Sequence, residues 1–560
     1  MDDKKLKTVP LNKIKISDQF WNRYIHLVKD VLIPYQWDIL NDRLPDVETS
    51  HCIENFKIAA GETDGDFEGA VFQDTDVAKW LEAVAYSLAA EPDEHLSYLA
   101  DKTINLIGRA QCEDGYLNTY FTIKDPSKRW TNLKEGHELY TAGHMTEAAV
   151  AYYKATGKTE FLDIMKKFAD LICKTFGPDE GQIHGYPGHQ EIELALIRLY
   201  HVTGEKKYLE TAKYFIDTRG VGENYFLEEE KRPEYKQIFP EFAGYDPRYS
   251  QSHEPVREQK TAEGHAVRAV YMYCAMADLA YEYKDKELLD ACKTLWEDMT
   301  KRQMYITGSI GASGLLERFT TDYDLPNNCN YSETCASIGL ALFGRRMAQI
   351  TKDASYMDVV ERALYNTLLS GIAQDGKSFF YVNPLEVWPD NCIDRTSKEH
   401  VKPVRQKWFG VACCPPNIAR TLASMGQYIY FTDKNTAYVN LYISNEAQIE
   451  LEEGALKIQI ESDLTNTGHI RKAIPPDGEG EHRLALRIPD YVKTYTIKRD
   501  GKILRNARIS QSYLLIEDIK EQTEIEIDFE VPAKFVRANP NVREDAGKVA
   551  LVKGPLVYCL

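Results

Sequence analysis

The sequence predicts a mainly α-helical domain, an (α/α)6 toroid or barrel, followed by an antiparallel β-sandwich. Three observations lead to this prediction. A helix-hairpin pattern recurs from about residue 75 to 430. The long connections on one side of the hairpins are rich in Gly, His and aromatic residues, and a period-two alternation of apolar and polar residues begins after about residue 431. Because 560 residues exceed one ordinary core, we divide the chain into a helical domain, 1–430, and a β domain, 431–560.

The clearest hairpins are "EAAVAYYKATGKTEFLDIMKKFADLI" (147–172) and "EIELALIRLYHVTGEKKYLETAKYFI" (191–216), which align residue for residue. Each has an apolar helix, a Thr-Gly turn and an amphipathic helix. Helix pairs at this spacing are typical of α-solenoids and closed α/α toroids. The long connections on a single side favour the toroid, as does "QCEDGYLNTYF" (111–121), which resembles a loop common in toroidal carbohydrate-active enzymes. Looser copies turn at Pro92-Asp93, Lys284-Asp285 and Lys352-Asp353.

The β domain is predicted from "AYVNLYISNEAQIELEEGALKIQIESD" and "YLLIEDIKEQTEIEIDFEV", which alternate apolar and polar residues between Gly, Asn and Pro. The given chain ends in "GKVALVKGPLVYCL", inside an apolar strand. We therefore expect it to be a fragment of a longer protein, in which the sheet domain continues or another domain follows.

The net charge of the chain limits the classes of partner and substrate that we expect it to bind. The formal net charge is −18, which argues against a nucleic-acid or anionic-membrane partner and favours a neutral substrate. The N-terminus has no signal-peptide core and no run is long enough to span a bilayer, so we expect a cytoplasmic protein. The 35 tyrosines, against 20 phenylalanines, suit sites that stack on sugars, although scattered core tyrosine explains most of them.

The eleven cysteines do not form the pattern of a disulfide framework. We expect Cys112, Cys173, Cys274 and Cys292 to lie buried in helices. The remaining motifs differ: "YSETCAS" contains Glu333 and Cys335, and "FGVACCPPN" contains the adjacent Cys413 and Cys414.

Both motifs stand at predicted helix starts. Ser332 is the predicted N-cap of one helix, and Pro415 and Pro416 suit the first turn of the other. The positive end of each helix would stabilise thiolates, and Cys₃Glu is a tetrahedral ligand set that suits zinc. Spacing alone also allows a vicinal disulfide, inert buried thiols or a purely structural zinc.

Five motifs in order resemble glycoside hydrolase family 127, the retaining β-L-arabinofuranosidases. They are "VFQDTDVAKWLEA", "TAEGHAVRAVYMY", "GLLERFTTDYDLPN", "YSETCAS" and "GVACCPPN", and the similarity runs from about residue 15 to the end of the chain. The resemblance implies a zinc-bound cysteine nucleophile, Cys413, and an acid/base, Glu317. It implies zinc ligands at Glu333, Cys335, Cys413 and Cys414. Val411 departs from some relatives, in which we expect a cysteine, but it is not among these ligands.

Retention requires a nucleophile on one face of the sugar and an acid/base group that protonates the leaving oxygen. We expect Glu317 to be protonated at the start, with its pKa raised by burial or by the anionic site. Without the resemblance, Glu317 would be interpreted as a solvated loop carboxylate beside Arg318.

The resemblance also implies sugar-binding residues on the long-loop side. They are His137, His189 and His265, with Glu333, and the pocket wall would add Gln73, Asp74 and Tyr381. His144 would support the site or pack in the core. The histidines lack H-x-x-x-H spacing, and nucleotide-binding loops and a nucleophilic-elbow serine are absent from the sequence.

The leading hypothesis is exo-acting hydrolysis of terminal β-L-arabinofuranosides from oligosaccharides or glycoconjugates. Two alternatives remain at this point. A toroidal sugar epimerase or isomerase would use paired histidines and would not need the cysteines, and a non-catalytic carbohydrate-binding protein would hold a structural zinc. The acidic surface and the sheet domain are compatible with a homodimer.

Overall fold

The computed structural model describes residues 5–452, 454–473, 482–505, 508–519 and 523–559. Two of the sequence predictions fall partly outside these ranges. One predicted strand segment includes residues 520–522, and the end of the chain at which we expect the sheet domain to continue is Leu560. The helices are α1 (Gln19–Leu27), α2 (Ile33–Leu40), α3 (Cys52–Ala59), α4 (Asp74–Ala90), α5 (Glu94–Ala110), α6 (Thr119–Ile123), α7 (Glu138–Thr156), α8 (Glu160–Thr175), α9 (Ile192–Thr203), α10 (Lys206–Thr218), α11 (Tyr225–Glu229), α12 (Ala266–Glu282), α13 (Lys286–Arg302), α14 (Thr334–Thr351), α15 (Ser355–Ala363) and α16 (Cys414–Ala423).

Strands precede and follow the helical part along the chain. They are β1 (Lys7–Thr8), β2 (Ile14–Ile16), β3 (Tyr430–Asp433), β4 (Thr436–Val439), β5 (Asn445–Leu451), β6 (Gly454–Asp463), β7 (His469–Ala473), β8 (His482–Arg487), β9 (Tyr495–Arg499), β10 (Lys502–Ile503), β11 (Arg508–Ser510), β12 (Tyr513–Ile519), β13 (Glu524–Phe529), β14 (Lys534–Val536), β15 (Ala550–Lys553) and β16 (Leu556–Tyr558).

Six of the helices pack side by side in chain order and form an inner layer. Helices α4, α7, α9, α12, α14 and α16, here the inner helices, pack side by side in this order, and α16 packs against α4. Helices α5, α8, α10, α13 and α15 pack outside α4, α7, α9, α12 and α14, respectively. The sequence explains the layering, because α12 is buried along all of 266–280 whereas α13 buries one face only.

The hairpin turns lie where the sequence predicts them. Helices α7 and α9 end before Gly157 and Gly204, which have φ of 75° and 73°, a conformation that glycine adopts without a Cβ clash. The side chains of Asp93 and Asp285 cap α5 and α13 by accepting hydrogen bonds from backbone N–H groups three residues later. Short turns therefore close one side of the helical layer.

Two large sheets share one apolar core. Their strand orders are β1-β3-β4-β8-β12-β11 and β10-β9-β13-β7-β6-β5-β2, and a smaller sheet has the order β14-β15-β16. The prediction of a purely antiparallel domain is wrong at one pair, because β4 and β8 run parallel. Between them the chain passes through β5, β6 and β7 of the other sheet and returns in the same direction.

The N-terminal segment belongs to the sheets rather than to the helices. Strand β1 pairs with β3 and β2 pairs with β5, so residues inside the range 1–430 complete both large sheets. Backbone N–H of Leu6 also donates to the carbonyl of Gln349 at 3.0 Å. In the described part of the chain, no helix is both long and apolar enough to cross a membrane.

Candidate active site

A cavity of about 1140 Å³ opens at the N-terminal ends of the inner helices. This is the side of the long connections, as the sequence predicts. Because every inner helix points its positive end toward the cavity, the fold favours anionic groups there. The wall includes one residue from just before each inner helix: Phe72, His137, His189, His265, Glu333 and Cys413.

The starts of α14 and α16 bring the cysteine motifs together. Glu333 is the N-cap of α14 and Cys413 that of α16, with Pro415 and Pro416 in its first turn, as predicted. The predicted N-cap Ser332 is wrong by one residue. Its φ of 45° turns the chain before the helix, and its hydroxyl is hydrogen-bonded to Ser309 at 3.0 Å.

The four donor atoms of Glu333, Cys335, Cys413 and Cys414 lie within 4.8 Å of one another. Cys335 Sγ is 3.2 Å from each of the other two Sγ atoms, which are 3.9 Å apart. Sulfur atoms around a tetrahedral zinc would be about 3.8 Å apart. Glu333 Oε1 accepts from Cys413 at 3.2 Å, while its buried Oε2 has no hydrogen-bond partner in the described structure. This donor set and its orphaned oxygen fit a divalent metal ion.

The protein alone stabilises only one thiolate in this cluster. Burial opposes ionisation of all three thiols, but hydrogen bonds from Cys413 and Cys414 lower the pKa of Cys335 to about 6. Burial raises the pKa of Cys413 to about 12 and that of Cys414 well above its ordinary value. Without a metal, the helix ends and neighbouring side chains therefore leave the pKa values of Cys413 and Cys414 raised. A bound divalent cation would favour their thiolate forms.

Cys413 is the thiol that is accessible from the cavity. It is partly exposed, whereas Cys335 and Cys414 are 1% and 0% exposed. The hydroxyl of Tyr381 lies 2.7 Å from Cys413 Sγ. Tyr381 is held in place because its carbonyl accepts the backbone N–H of Thr334 at 3.0 Å.

Glu317 also lines the cavity, in a left-handed turn with Leu316, and one of its carboxylate oxygens lies within 4.8 Å of one of Glu333. Its Oε2 is 2.6 Å from His265 Nε2, and its Oε1 accepts from the Tyr331 hydroxyl at 2.7 Å. Burial alone would raise the pKa of Glu317, but these hydrogen bonds and the charge of Arg268 lower it below the ordinary value. The prediction of a raised pKa is therefore wrong, because both carboxylate oxygens face donors.

Hydrogen bonds fix the tautomers of the three cavity histidines. Nδ1 of His137 and of His189 lies 2.5 and 3.0 Å from a backbone carbonyl, which can only accept, so each Nε2 is left as an acceptor. Nδ1 of His265 instead accepts from the N–H of Val267 at 3.1 Å, so its Nε2–H donates to Glu317. Burial lowers the pKa of all three imidazoles, that of His137 to about 3. Neutral imidazoles suit neutral hydroxyl groups.

Three other sequence candidates lie away from the cavity wall. The amide of Gln73 donates to Asp76 at 3.0 Å, and Asp74 accepts the backbone N–H of Thr119 at 2.8 Å. His144 is fully buried behind Tyr140, with Nδ1 3.2 Å from Glu191 Oε1. Cys112, predicted in a helix, follows the end of α5 and is half-buried.

Sequence reasoning missed several wall residues that lie within three positions of a predicted site residue. Tyr331 precedes Glu333 in "YSETCAS", Tyr140 follows His137, and Arg268 follows His265. Their closeness in sequence to recognised site residues is the signal that could have identified them. Tyr271, within "TAEGHAVRAVYMY", also lines the cavity, as do His400 and Trp408, which lie outside the quoted motifs.

Comparison with known proteins identifies the family. The model of the β-L-arabinofuranosidase GH127 catalytic domain matches residues 13–427, and the GH127 middle and C-terminal domains match 436–531 and 533–560. This chain belongs to glycoside hydrolase family 127. A GH127 member is a glycoside hydrolase, so the epimerase and binding-protein alternatives are set aside.

Individual GH127 relatives cover nearly the whole chain. A non-reducing end β-L-arabinofuranosidase of Bifidobacterium longum subsp. longum is 41% identical over 98% of this chain and 86% of its own. The crystal structure of a GH127 β-L-arabinofuranosidase from Geobacillus stearothermophilus T6 is 54% identical with a TM-score of 0.95, over 98% of this chain and 86% of its own. A second GH127 β-arabinofuranosidase structure is 36% identical with a TM-score of 0.88, over 99% and 85%.

Proposed function

We propose that the chain is an exo-acting, retaining glycosidase that releases terminal β-L-arabinofuranosyl residues from oligosaccharides or glycoconjugates. Cys413 is the nucleophile and Glu317 the acid/base. Glu333, Cys335, Cys413 and Cys414 hold zinc. The observation that carries the proposal is the accessible thiol of Cys413, which faces the cavity from a buried Cys₃Glu donor set. The name of the B. longum relative supports the sugar and the non-reducing-end specificity.

The proposal extends to the architecture. The six inner helices, the five outer helices and α1, which packs against α16, form an (α/α)6 toroid, supported by the contact of α16 with α4. The domain boundary lies near residue 430, between the catalytic and middle family matches, and a β-sandwich follows it. The N-terminal strands then tie the first residues of the toroid domain to the sandwich.

The residues of the site divide the reaction into two steps. Zinc bound by the four donors would keep the thiols ionised at neutral pH and moderate the nucleophilicity of sulfur. Cys413 Sγ attacks the anomeric carbon while the bond to the leaving oxygen breaks, and Glu317 gives that oxygen a proton. Water then attacks the anomeric carbon of the glycosyl-cysteine, Glu317 takes the proton, and the Cys413 thiolate is restored. Two displacements retain the configuration.

Glu317 must gain a proton before the first step. In the structure, His265 Nε2–H and the Tyr331 hydroxyl both donate to it. His265 keeps that proton, because its Nδ1 is already used as an acceptor. The hydroxyl of Tyr331 can rotate from donor to acceptor, which frees Glu317 Oε1 for a proton from water. Binding of a neutral sugar excludes further water and favours the protonated acid.

A substrate screen tests this function. The zinc-loaded protein should release p-nitrophenol from the β-L-arabinofuranoside and not from the α-anomer or the pyranosides. Cys413→Ser and Glu317→Gln should each reduce kcat by two orders of magnitude or more. Asp290→Asn, on the exposed face of α13, is the control. Wild-type rates in either site variant would contradict its assigned role, and no release from any arabinoside would overturn the function.

A further inference from the structure

The connection between α11 and α12 forms part of the cavity wall beside His137. Phe239 in this connection lines the cavity and is partly buried. The centre of its ring is 5.9 Å from that of the His137 imidazole and 6.5 Å from that of Phe72, which is itself 4.7 Å from the imidazole. The reaction scheme gives Phe239 no role, although it flanks a proposed sugar ligand.

The carboxylate of Glu135 holds Phe239 in this position. Glu135 is 0% exposed, and its Oε2 accepts the backbone N–H groups of Ile238 and Phe239 at 2.7 Å each. Its Oε1 accepts from the Tyr235 hydroxyl and lies 3.3 Å from the ammonium of Lys134, which compensates the buried charge. Hydrogen bonds to a carboxylate are stronger than those between neutral groups. A single buried side chain therefore fixes the backbone of the cavity-lining residue.

Glu135 also holds His137, but through its backbone. Its carbonyl lies 2.5 Å from His137 Nδ1. Asn132 reinforces the pair of segments, because its side chain accepts the N–H of Glu135 and donates to the carbonyl of Lys236, each at 2.9 Å. The imidazole and the ring of Phe239 are thus set relative to each other by one residue. A side-chain substitution at position 135 leaves the carbonyl that holds His137 in place.

The two groups differ in the chemistry that they offer to a sugar. Nε2 of His137 is an acceptor for a hydroxyl group, because Nδ1 is used by the carbonyl. The ring of Phe239 has no polar atom and suits the C–H groups of a sugar ring. The cavity of about 1140 Å³ exceeds the size of about 300–1,000 Å³ typical of ligand pockets, so one terminal pentose needs a local wall to be held in a single orientation.

We propose that Phe239 is a specificity-determining residue that packs on the apolar part of the terminal sugar bound at His137, and that Glu135 is the positioning residue that holds it there. The inference rests on the proposed function. It assigns Phe239 to the terminal sugar rather than to the leaving group. The contact is the same in the bound substrate and in the transition state, so its loss raises KM and leaves kcat nearly unchanged.

The first test compares two substrates, p-nitrophenyl β-L-arabinofuranoside and a β-L-arabinofuranosyl disaccharide, with the zinc-loaded protein. Phe239→Ala should raise KM about tenfold on both and change kcat by less than about threefold. A rise of KM on the disaccharide alone would place Phe239 against the leaving group and overturn the inference. Unchanged KM on both substrates, or a loss confined to kcat, would also overturn it.

The second test concerns Glu135. Glu135→Ala should raise KM as Phe239→Ala does, and Glu135→Gln should recover most of the loss, because an amide oxygen can still accept both N–H groups. The double variant Glu135→Ala/Phe239→Ala should have the KM of Phe239→Ala alone, since both changes remove one contact. Independent, multiplying effects would show that Glu135 does not act through Phe239.

Two further variants complete the experiment. Tyr235→Phe removes a hydrogen bond to Glu135 and should raise KM about threefold, which keeps the test open if Glu135→Ala does not fold. Glu228→Ala is the matched control, because Glu228 pairs with the exposed Lys231 just before the same connection, and it should keep wild-type KM. An unchanged KM in Tyr235→Phe and Glu135→Ala would overturn the positioning role while the proposed function stands. A wild type that cleaves neither arabinoside would overturn both.

Discussion

Glu317 occupies a strained position. Leu316 and Glu317 have consecutive φ values of 56° and 55°, which non-glycine residues adopt at a cost of roughly 1 kcal/mol or more each. Hydrogen bonds to His265 and Tyr331 hold the carboxylate in this turn. The strain is thus offset by contacts that also orient the acid toward the cavity.

The first prediction concerns the leaving group. Glu317→Gln should slow hydrolysis of arabinofuranosides with a sugar leaving group by about 10²–10⁴-fold, because an alkoxide needs a proton as it departs. The p-nitrophenyl glycoside should lose much less in the first step, since p-nitrophenolate leaves unprotonated. Single-turnover rates on both substrates measure this difference. Equal losses on the two would show that Glu317 is not the proton donor.

The second prediction concerns Tyr381. Its hydroxyl lies 2.7 Å from Cys413 Sγ, and in the proposed reaction it would stabilise the thiolate by donating to it. Tyr381→Phe should therefore reduce kcat/KM by roughly tenfold, the effect of about 1.4 kcal/mol, and should leave zinc content unchanged. The zinc assay and steady-state kinetics on one preparation separate the two effects. A loss of zinc in proportion to activity would make Tyr381 a support of the metal site instead.

At the scale of elements, ion pairs fasten helices to one another and to the N-terminus. Asp278 of α12 contacts Arg346 of α14 and Lys5, each at 2.6 Å. Burial alone would raise the pKa of Asp278, but the two cations hold it well below the ordinary value. Its contribution to stability is therefore present above pH 4 and is lost as the pH falls further, because protonation breaks both pairs.

The third prediction follows from the lowered pKa of Asp278. Asp278→Asn should lower the Tm at pH 7, with a loss of stability of about 3–5 kcal/mol for a broken buried pair, and the difference from wild type should shrink below pH 4. Asp290→Asn, whose partner Lys293 is exposed, should change little at either pH. Thermal unfolding at pH 7, 5 and 3.5 provides the comparison. A difference that is constant with pH would mean that Asp278 acts through packing rather than charge.

The sequence predicts local elements of the site better than their surroundings. Pro415 and Pro416 fix the start of α16, and the hairpin turns follow from glycine and aspartate, because these signals are local. The Glu317 environment was not predictable, since His265 and Tyr331 reach it through tertiary folding. The exact N-cap of α14 was also missed, because a positive φ at Ser332 has no sequence signature.

At the scale of the whole molecule, the two ends of the helical part meet in the sheets. Strands of two or three residues, such as β1 and β2, are too short to show an alternating pattern, so no sequence pattern indicates that they complete sheets formed after residue 430. The parallel pairing of β4 with β8 also has no sequence signature, because it depends on the path of the chain between the two sheets.

The fourth prediction tests this connection. Ile14→Ser, at a buried position of β2, should lower the Tm by several degrees, whereas Lys15→Ser, on the exposed face of the same strand, should not. Thermal unfolding of the full chain measures both. If the two variants unfold alike, the pairing of β2 with β5 does not contribute to stability.

The contact of Arg420 with Glu82 joins residues 338 positions apart. During synthesis at roughly 5–20 residues per second, Glu82 therefore waits about 15–70 s for its partner. Helix α16, which begins at Cys414 directly after the proposed nucleophile Cys413, is the last inner helix to leave the ribosome, and the proposed ligands Glu333 and Cys335 precede it. A nascent chain thus holds Glu333 and Cys335 before Cys413 and Cys414 exist. The proposed metal site, which needs all four donors, can therefore form only after the chain has been made through Cys414, at the start of the last inner helix.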